Sequence, residues 1–247
     1  MNDDPKWNFG GKRVLICPVA YNERQKIGKV LDRIQASKMP DVALGDDGSD
    51  DGTTEVAKER GVMLIRHEQR RGVGSMIRTV IRESRAARYD VLVIMAGNNK
   101  DEPAEADRLV NPILHDGADI VQGSRYLPGG DFGNMPAYRQ ISTRYVHPLL
   151  FSFFSGQRMT DTTNGFRAIR LSIFDDERLD IDQPWLDMYE LEVYLLFRAI
   201  KLGYKVMEAP VSKIYPEHEL GYTKMKPITG WWSILRPLFL LGLRIRK

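Results

Sequence analysis

Val42-Ala43-Leu44-Gly45-Asp46-Asp47-Gly48-Ser49-Asp50-Asp51-Gly52-Thr53 is the stretch that decides the fold. An apolar run of strand length ends in two adjacent carboxylates, followed by Gly-Ser turn residues and a helix start. An unpaired buried charge is costly, so Asp46 and Asp47 are expected to face a cleft. Carboxylates at the carboxyl end of a parallel strand stand where open α/β sheets bind ligands. There they can accept hydrogen bonds from a base N–H or a ribose hydroxyl. The competing reading is a capping turn with Ser49 or Asp51 as N-cap. It accounts for Asp50, Asp51 and Thr53 but leaves Asp46 and Asp47 without a reason.

Outward from this turn, apolar runs of strand length alternate with amphipathic helical stretches. Strands are expected at 13–19, 41–45, 62–66, 91–95 and 119–122, with helices at 23–36, 53–60, 75–88 and 105–116. Ile27, Val30, Leu31 and Ile34 have the spacing of one buried helix face, and Gly61 suits a C-cap. The alternation predicts an α/β fold, a mostly parallel sheet covered by helices on both faces. After Gly123 the pattern changes. Pro128, Gly129, Gly130, Gly133 and Pro136 mark a long loop, and long loops inside compact domains are usually functional. A helix at 140–154, a turn at 161–165, a strand at 166–170, a helix at 188–202 and a strand at 205–210 complete the expected order.

Composition narrows the class. A chain of 247 residues, 43% hydrophobic and 28% charged, can build one large globular core and is not a disordered polymer. Cys17 is the single cysteine, which rules out an internal disulfide framework and fits a reducing compartment. The polar first residues read as carrying no secretory signal, so a cytoplasmic location is expected. His67, His115, His147 and His218 show no metal-ligand spacing and are expected to be structural.

The net charge of +3 is unevenly placed: from Lys213 onward seven Lys or Arg face two Glu, so the remainder is net negative. Residues 227–247 are apolar but interrupted by Arg236 and Pro237, and a spanning helix needs roughly 20 apolar residues. Trp231 and Trp232 suit the headgroup level, while Arg244, Arg246 and Lys247 suit anionic lipid. The segment reads as an amphipathic tail, peripheral on the cytoplasmic face of a membrane rather than bound to nucleic acid. The alternative is a helix docked on the protein's own core or on a second copy in a homodimer.

Six motifs then follow in order: Tyr21-Asn22-Glu23, Asp46 to Thr53, Gly72-x-Gly74, Gly123-Ser124-Arg125-Tyr126, Asp161 to Arg167, and Gly221-Tyr222-Thr223-Lys224-Met225. The series resembles family 2 glycosyltransferases of the GT-A (Rossmann-like) fold, of the dolichol-phosphate mannose synthase or polyprenyl-phosphate glycosyltransferase kind. It covers residues 12–226, leaving 1–11 as an N-terminal extension. The resemblance implies that Pro18, Tyr21 and Glu23, with Asp46 or Asp47, hold the base and ribose of a nucleotide sugar. Gly72 and Gly74 would offer close backbone approach at a helix N-terminus. Arg125 and Arg139 match phosphate-binding arginines, Ser142 a serine near the acceptor phosphate, and Lys224 a lysine closing on the diphosphate. The implied activity is inverting transfer of a hexosyl group to a dolichyl- or undecaprenyl-type phosphate at the membrane surface, in cell-envelope glycan synthesis.

One motif breaks the pattern. Relatives carry Asp-x-Asp for Mg²⁺ or Mn²⁺ after the fourth strand, where this chain reads Ala96-Gly97-Asn98-Asn99-Lys100-Asp101-Glu102. Asn98 and Asp101 are weak metal candidates, because a neutral amide is a poorer hard-cation ligand than a carboxylate. The Lys100 ammonium would supply positive charge against the leaving diphosphate in place of a metal. Two rivals stand beside it: Asp101 or Glu102 recruiting a metal from a shifted position, or a chain that binds nucleotide sugar without transferring it. A saccharide hydroxyl acceptor, as in capsule or lipopolysaccharide synthesis, would need a base, with Asp161, Asp187, Glu190 and Glu192 as candidates.

Overall fold

Val14, Leu15, Ile16 and Cys17 are each at most 1% exposed, as expected for a strand covered on both faces. They open strand β1 (Val14–Ala20), an interior strand of a seven-stranded sheet in a computed structural model that describes residues 9–37, 41–215 and 227–246. The other strands are β2 (Asp41–Asp46), β3 (Met63–Arg66), β4 (Val91–Ala96), β5 (Ile120–Ser124), β6 (Arg167–Arg170) and β7 (Val206–Pro210), in the order β3-β2-β1-β4-β6-β5-β7. All pairs are parallel except those of β6, which runs antiparallel between β4 and β5. Strand order reverses between β1 and β4, so the crevice at their carboxyl ends is the topological switch point of the sheet.

Helices α1 (Arg24–Ala36) and α4 (Ala106–His115) bury Ile27, Val30, Leu31, Ile34, Leu109 and Val110 against one face. The other face is covered by α3 (Val73–Ala86), α6 (His147–Ser155) and α7 (Glu190–Leu202) through Ile77, Val80, Phe151, Leu195 and Leu196. The short helix α2 (Thr53–Lys58) follows the acidic turn. The helix expected at 140–154 starts earlier, as α5 (Ala137–Ile141), passes through a π-helical turn at Ser142–Val146 and runs on into α6. Such wide turns recur at functional sites.

The segment expected as a membrane-surface tail forms α8 (Pro227–Gly242) and packs on the chain's own core, the alternative arrangement. Leu238 and Leu241 are buried, and Phe239 meets Phe154 edge-on at 6.0 Å. An apolar helix recovers more free energy by burying such side chains than by leaving them in water. Trp232, Leu243 and Ile245 nevertheless stay about 60% exposed. No helix among the described residues is long and apolar enough to cross a membrane.

Candidate active site

The acidic turn departs from its expectation. Asp46 and Asp47 do not face an open cleft: they are 0% and 3% exposed, and protein donors surround both. Asp46 accepts from Ser49 N–H at 3.0 Å and from the Ser49 and Thr54 hydroxyls, with the Arg66 guanidinium at 3.5 Å. Asp47 accepts from Gly72 N–H at 2.8 Å and Arg71 N–H at 2.9 Å, and pairs with His67 Nδ1 at 2.9 Å. Carboxylates so bonded are stable when buried. They fasten the β3–α3 loop to the β2 exit and shape the crevice. The N-cap of α2 is Gly52, not Ser49 or Asp51; Asp51, just before it, accepts from Thr53 N–H at 2.9 Å and from Arg24 N–H of α1 at 3.0 Å.

Gly72 and Gly74 are also explained by packing. A Cβ on Gly72 would lie 2.3 Å from Asp187 O, and one on Gly74 2.1 Å from Leu186 O. The close backbone approach that these glycines permit here is to the 186–188 loop. Pro18 is buried within β1, in register with Met95. Tyr21 and Glu23 stand at the mouth of the switch-point crevice, where the Arg70 guanidinium lies 4.4 Å over the Tyr21 ring and Glu23 pairs with Lys26 at 3.2 Å.

A cavity of about 190 Å³ opens at the β1 and β4 ends. Its wall includes Asn98, Arg139, Thr143, Tyr189, Glu192 and Lys213. Arg125 does not line it. That guanidinium is 2% exposed, with Nε 2.6 Å and Nη2 2.8 Å from Asp161 and Nη2 also donating to Thr163 at 2.7 Å. The pair fixes the 161–165 turn, whose Thr162, Thr163 and Gly165 do reach the cavity. Burial opposes the charge, yet the Asp161 carboxylate holds Arg125 well above the ordinary guanidinium range. Ser142 donates to Tyr138 O at 3.0 Å; the neighbouring Thr143 lies on the cavity wall at 3% exposure, its hydroxyl donating to Arg139 O at 2.8 Å and paired with Tyr126 OH at 2.5 Å.

The loop after β4 gathers cations. Asp101 is 1% exposed, with Oδ1 2.6 Å from Lys213 Nζ and Oδ2 accepting Ala96 N–H at 3.1 Å. Glu102 pairs with Arg33. The Lys100 ammonium lies 4.4 Å over the Tyr215 ring, and the Arg139 guanidinium lies 5.5 Å from the same ring. Burial first, and then Lys213, Arg139 and Lys26, push Lys100 down to about 7. Asn98 Oδ1 is buried without a hydrogen-bond partner among the described residues. Lys224 and its motif lie outside the described residues, as does His218.

Residues 16–178 match the sequence profile of Glycosyl transferase family 2. The chain belongs to that family. Polyprenol monophosphomannose synthase of Mycolicibacterium smegmatis is 30% identical over 230 residues, 90% of this chain and 84% of that protein. Undecaprenyl-phosphate mannosyltransferase of Micrococcus luteus is 32% identical over 219 residues, covering 86% and 87%. Crystalline glucosyl-3-phosphoglycerate synthase from Mycobacterium tuberculosis, with Mn²⁺, uridine diphosphate and glucosyl-3-phosphoglycerate, matches at TM-score 0.67 and 19% identity over 97% of this chain and 84% of its own. At that identity the likeness speaks for the GT-A-like fold.

In this glycosyltransferase the four base candidates separate clearly. Asp161 is held by Arg125, Asp187 by Arg78, and Glu190 lies beneath α8, 4.0 Å from Arg236. Only Glu192 among them lines the cavity, and Arg167 Nη2 binds it at 3.0 Å. His147 is buried between the Thr162 hydroxyl (2.5 Å) and Ile234 O of α8 (3.3 Å), in the structural role expected of it. Thr143, Lys213 and Tyr215 went unread in the sequence. Lys213 and Tyr215 are brought to Lys100 by long-range pairing, of Asp101 with Lys213, 112 residues apart, and of Ile214 N–H with Lys100 O at 2.8 Å.

Proposed function

We propose that this glycosyltransferase moves a sugar from a nucleotide-sugar donor to a polyprenyl phosphate at a membrane surface, with inversion at the anomeric carbon. One observation carries the reading: the helical run 137–155 has two working faces. Arg139 and Thr143 look into the cavity. Tyr138, Ile141, Tyr145, Leu149 and Phe153, spaced as one helical stripe, are 57–78% exposed on the outside. A lipid phosphate has a matching construction, with an anionic head for the cavity and a hydrocarbon chain for the apolar side. Arg144 lies among the tyrosines, and Arg244 and Arg246 stand exposed beside Leu243 and Ile245. Aromatic residues and cations around an apolar stripe suit an anionic bilayer surface.

The chemistry asks little of the protein beyond placement. A phosphate monoester oxygen is already ionised, so it attacks the anomeric carbon from the face opposite the leaving nucleoside diphosphate and needs no general base. Arg139 would hold the acceptor phosphate, with the Thr143 hydroxyl steadying the Arg139 backbone carbonyl and Arg125 fixing the turn beneath it. Tyr21, Arg70 and Tyr189 would receive the nucleoside at the crevice mouth. The saccharide-acceptor reading is weaker, because its one candidate base on the cavity wall, Glu192, is an ion-paired carboxylate.

The test replaces Leu149 and Phe153 together by Glu; both are more than 70% exposed, so folding is preserved. The unaltered chain is expected to float with anionic liposomes and to glycosylate an acceptor embedded in them. The double variant is expected to lose flotation while still using a short, water-soluble isoprenyl phosphate. Equal flotation of both proteins, or no transfer to any isoprenyl phosphate, would overturn the reading.

A further inference from the structure

The resemblance to relatives with Asp-x-Asp implies Mg²⁺ or Mn²⁺, and the donor set on the β4 loop can be tested for it. A hard divalent cation at a diphosphate is held by one or two carboxylates. Ala96 offers no ligand. Asp101 has both oxygens engaged, by Lys213 and by Ala96 N–H. Glu102 is turned to Arg33. Asn98 Oδ1 is left as the free acceptor, a neutral one that equally suits a sugar hydroxyl. Among the described residues no three His, Cys, Asp or Glu side chains gather to hold a metal ion. The residues present do not fit the cation.

We propose instead that Lys100 and Lys213 hold the donor diphosphate themselves, so that this enzyme binds its nucleotide without a divalent metal. The inference rests on the nucleotide-sugar reading above. Lys100 follows β4 and is close enough to feel Lys26 and Glu23, which follow β1, so it stands at the switch point where α/β sheets place ligands. Lys213 reaches the cavity wall from the strand-like segment after β7, bridged to Asp101. Tyr215 is 1% exposed; its backbone N–H binds Gly133 O at 3.0 Å, and its ring sets Lys100 and Arg139 over one surface.

Lys213, Arg139 and Lys26 all lie close enough to disfavour the charge on Lys100, while Asp101 is bridged to Lys213 and Asp161 to Arg125. Lys100 and Lys213 are only 7% and 8% exposed. Like charges gathered out of water repel one another strongly, and an anion of two negative charges relieves that repulsion. Cations fixed before the reaction also stabilise the charge that develops on the leaving diphosphate. A divalent cation placed among them would add to the repulsion.

Calorimetric titration of the full chain with UDP and with GDP, in EDTA and in Mn²⁺, tests the inference. At least one nucleotide is expected to bind in EDTA with an affinity within threefold of that in Mn²⁺. Lys100→Met and Lys213→Met are each expected to weaken it at least tenfold, and Lys100→Arg to retain most of it. Unchanged thermal unfolding of Lys100→Met shows that the loss is one of binding. Binding that requires Mn²⁺, or that survives both Met variants, overturns the lysine site but leaves the nucleotide-sugar reading standing. Binding of neither nucleotide under either condition overturns both.

Discussion

Replacing Asp161 by Asn breaks a charge pair that is buried on both sides. Asp161 is fully buried and accepts from Arg125 N–H (3.2 Å), Nε (2.6 Å) and Nη2 (2.8 Å), and from Thr163 N–H (3.2 Å) and its hydroxyl (3.3 Å). Asn keeps one acceptor oxygen, turns an N–H toward the guanidinium and leaves Arg125 charged at 2% exposure. Breaking one side of a buried pair costs about 3–5 kcal/mol. For a chain of this size each kcal/mol lowers the melting temperature by roughly 2–4 °C, so Asp161→Asn should melt about 6–20 °C below the parent. Circular dichroism melts and urea titrations read this directly. An Arg125→Met/Asp161→Leu double variant removes both charges and is expected to recover most of the loss, since a buried pair and an apolar pair of similar volume are often equivalent. A shift below about 3 °C for Asp161→Asn, set against the roughly 6 °C minimum from the same scaling, would refute the reasoning. So would a double variant no more stable than the single one.

His147 carries a pH dependence: burial pushes it down to about 4. The unfolded chain therefore takes up a proton between about pH 6.5 and 4 that the folded chain refuses, and stability falls with pH across that window by about 3 kcal/mol; denaturant titrations of His147→Gln should show a flatter acid limb. Lys100 gives the opposite kind of profile: nucleotide affinity is expected to fall as pH rises from 7 to 9 and the ammonium deprotonates, and Lys100→Arg should flatten the decline in calorimetry. Arg139→Met should raise KM for the lipid phosphate at least about tenfold, the value of roughly one hydrogen bond between charged groups, while Ser142→Ala stays within about twofold by the same scale in steady-state kinetics. Gly74→Ala drives a methyl into Leu186 O and should cost about 1–3 kcal/mol, visible as a lower melting temperature.

Local rules carried much of the fold. The apolar runs at 13–19 and 91–95 and the face formed by Ile27, Val30, Leu31 and Ile34 reappear as β1, β4 and the buried side of α1. Strand order is not a local property, so nothing in 166–170 told that β6 would run antiparallel between β4 and β5. The acidic turn shows why charge alone misleads. Asp46 and Asp47 look exposed until Thr54, His67, Arg71 and Gly72 arrive with donors. Likewise a glycine that admits a phosphate and one that admits a neighbouring backbone are written with the same letter. Apolar residues at 227–247 marked a face to be covered but not what covers it; α6 and α7 cover Leu238 and Leu241, while Trp232, Leu243 and Ile245 remain open.

The most direct measurement incubates the purified enzyme with a panel of nucleotide sugars, undecaprenyl phosphate in anionic liposomes and, separately, saccharide acceptors, and identifies products by mass spectrometry and anomeric NMR. The expected product is a single sugar joined to the polyprenyl phosphate with the anomeric configuration opposite to that of the donor. A saccharide glycosylated at a hydroxyl while the lipid phosphate stays unmodified, or a lipid product of retained configuration, would contradict the central claim.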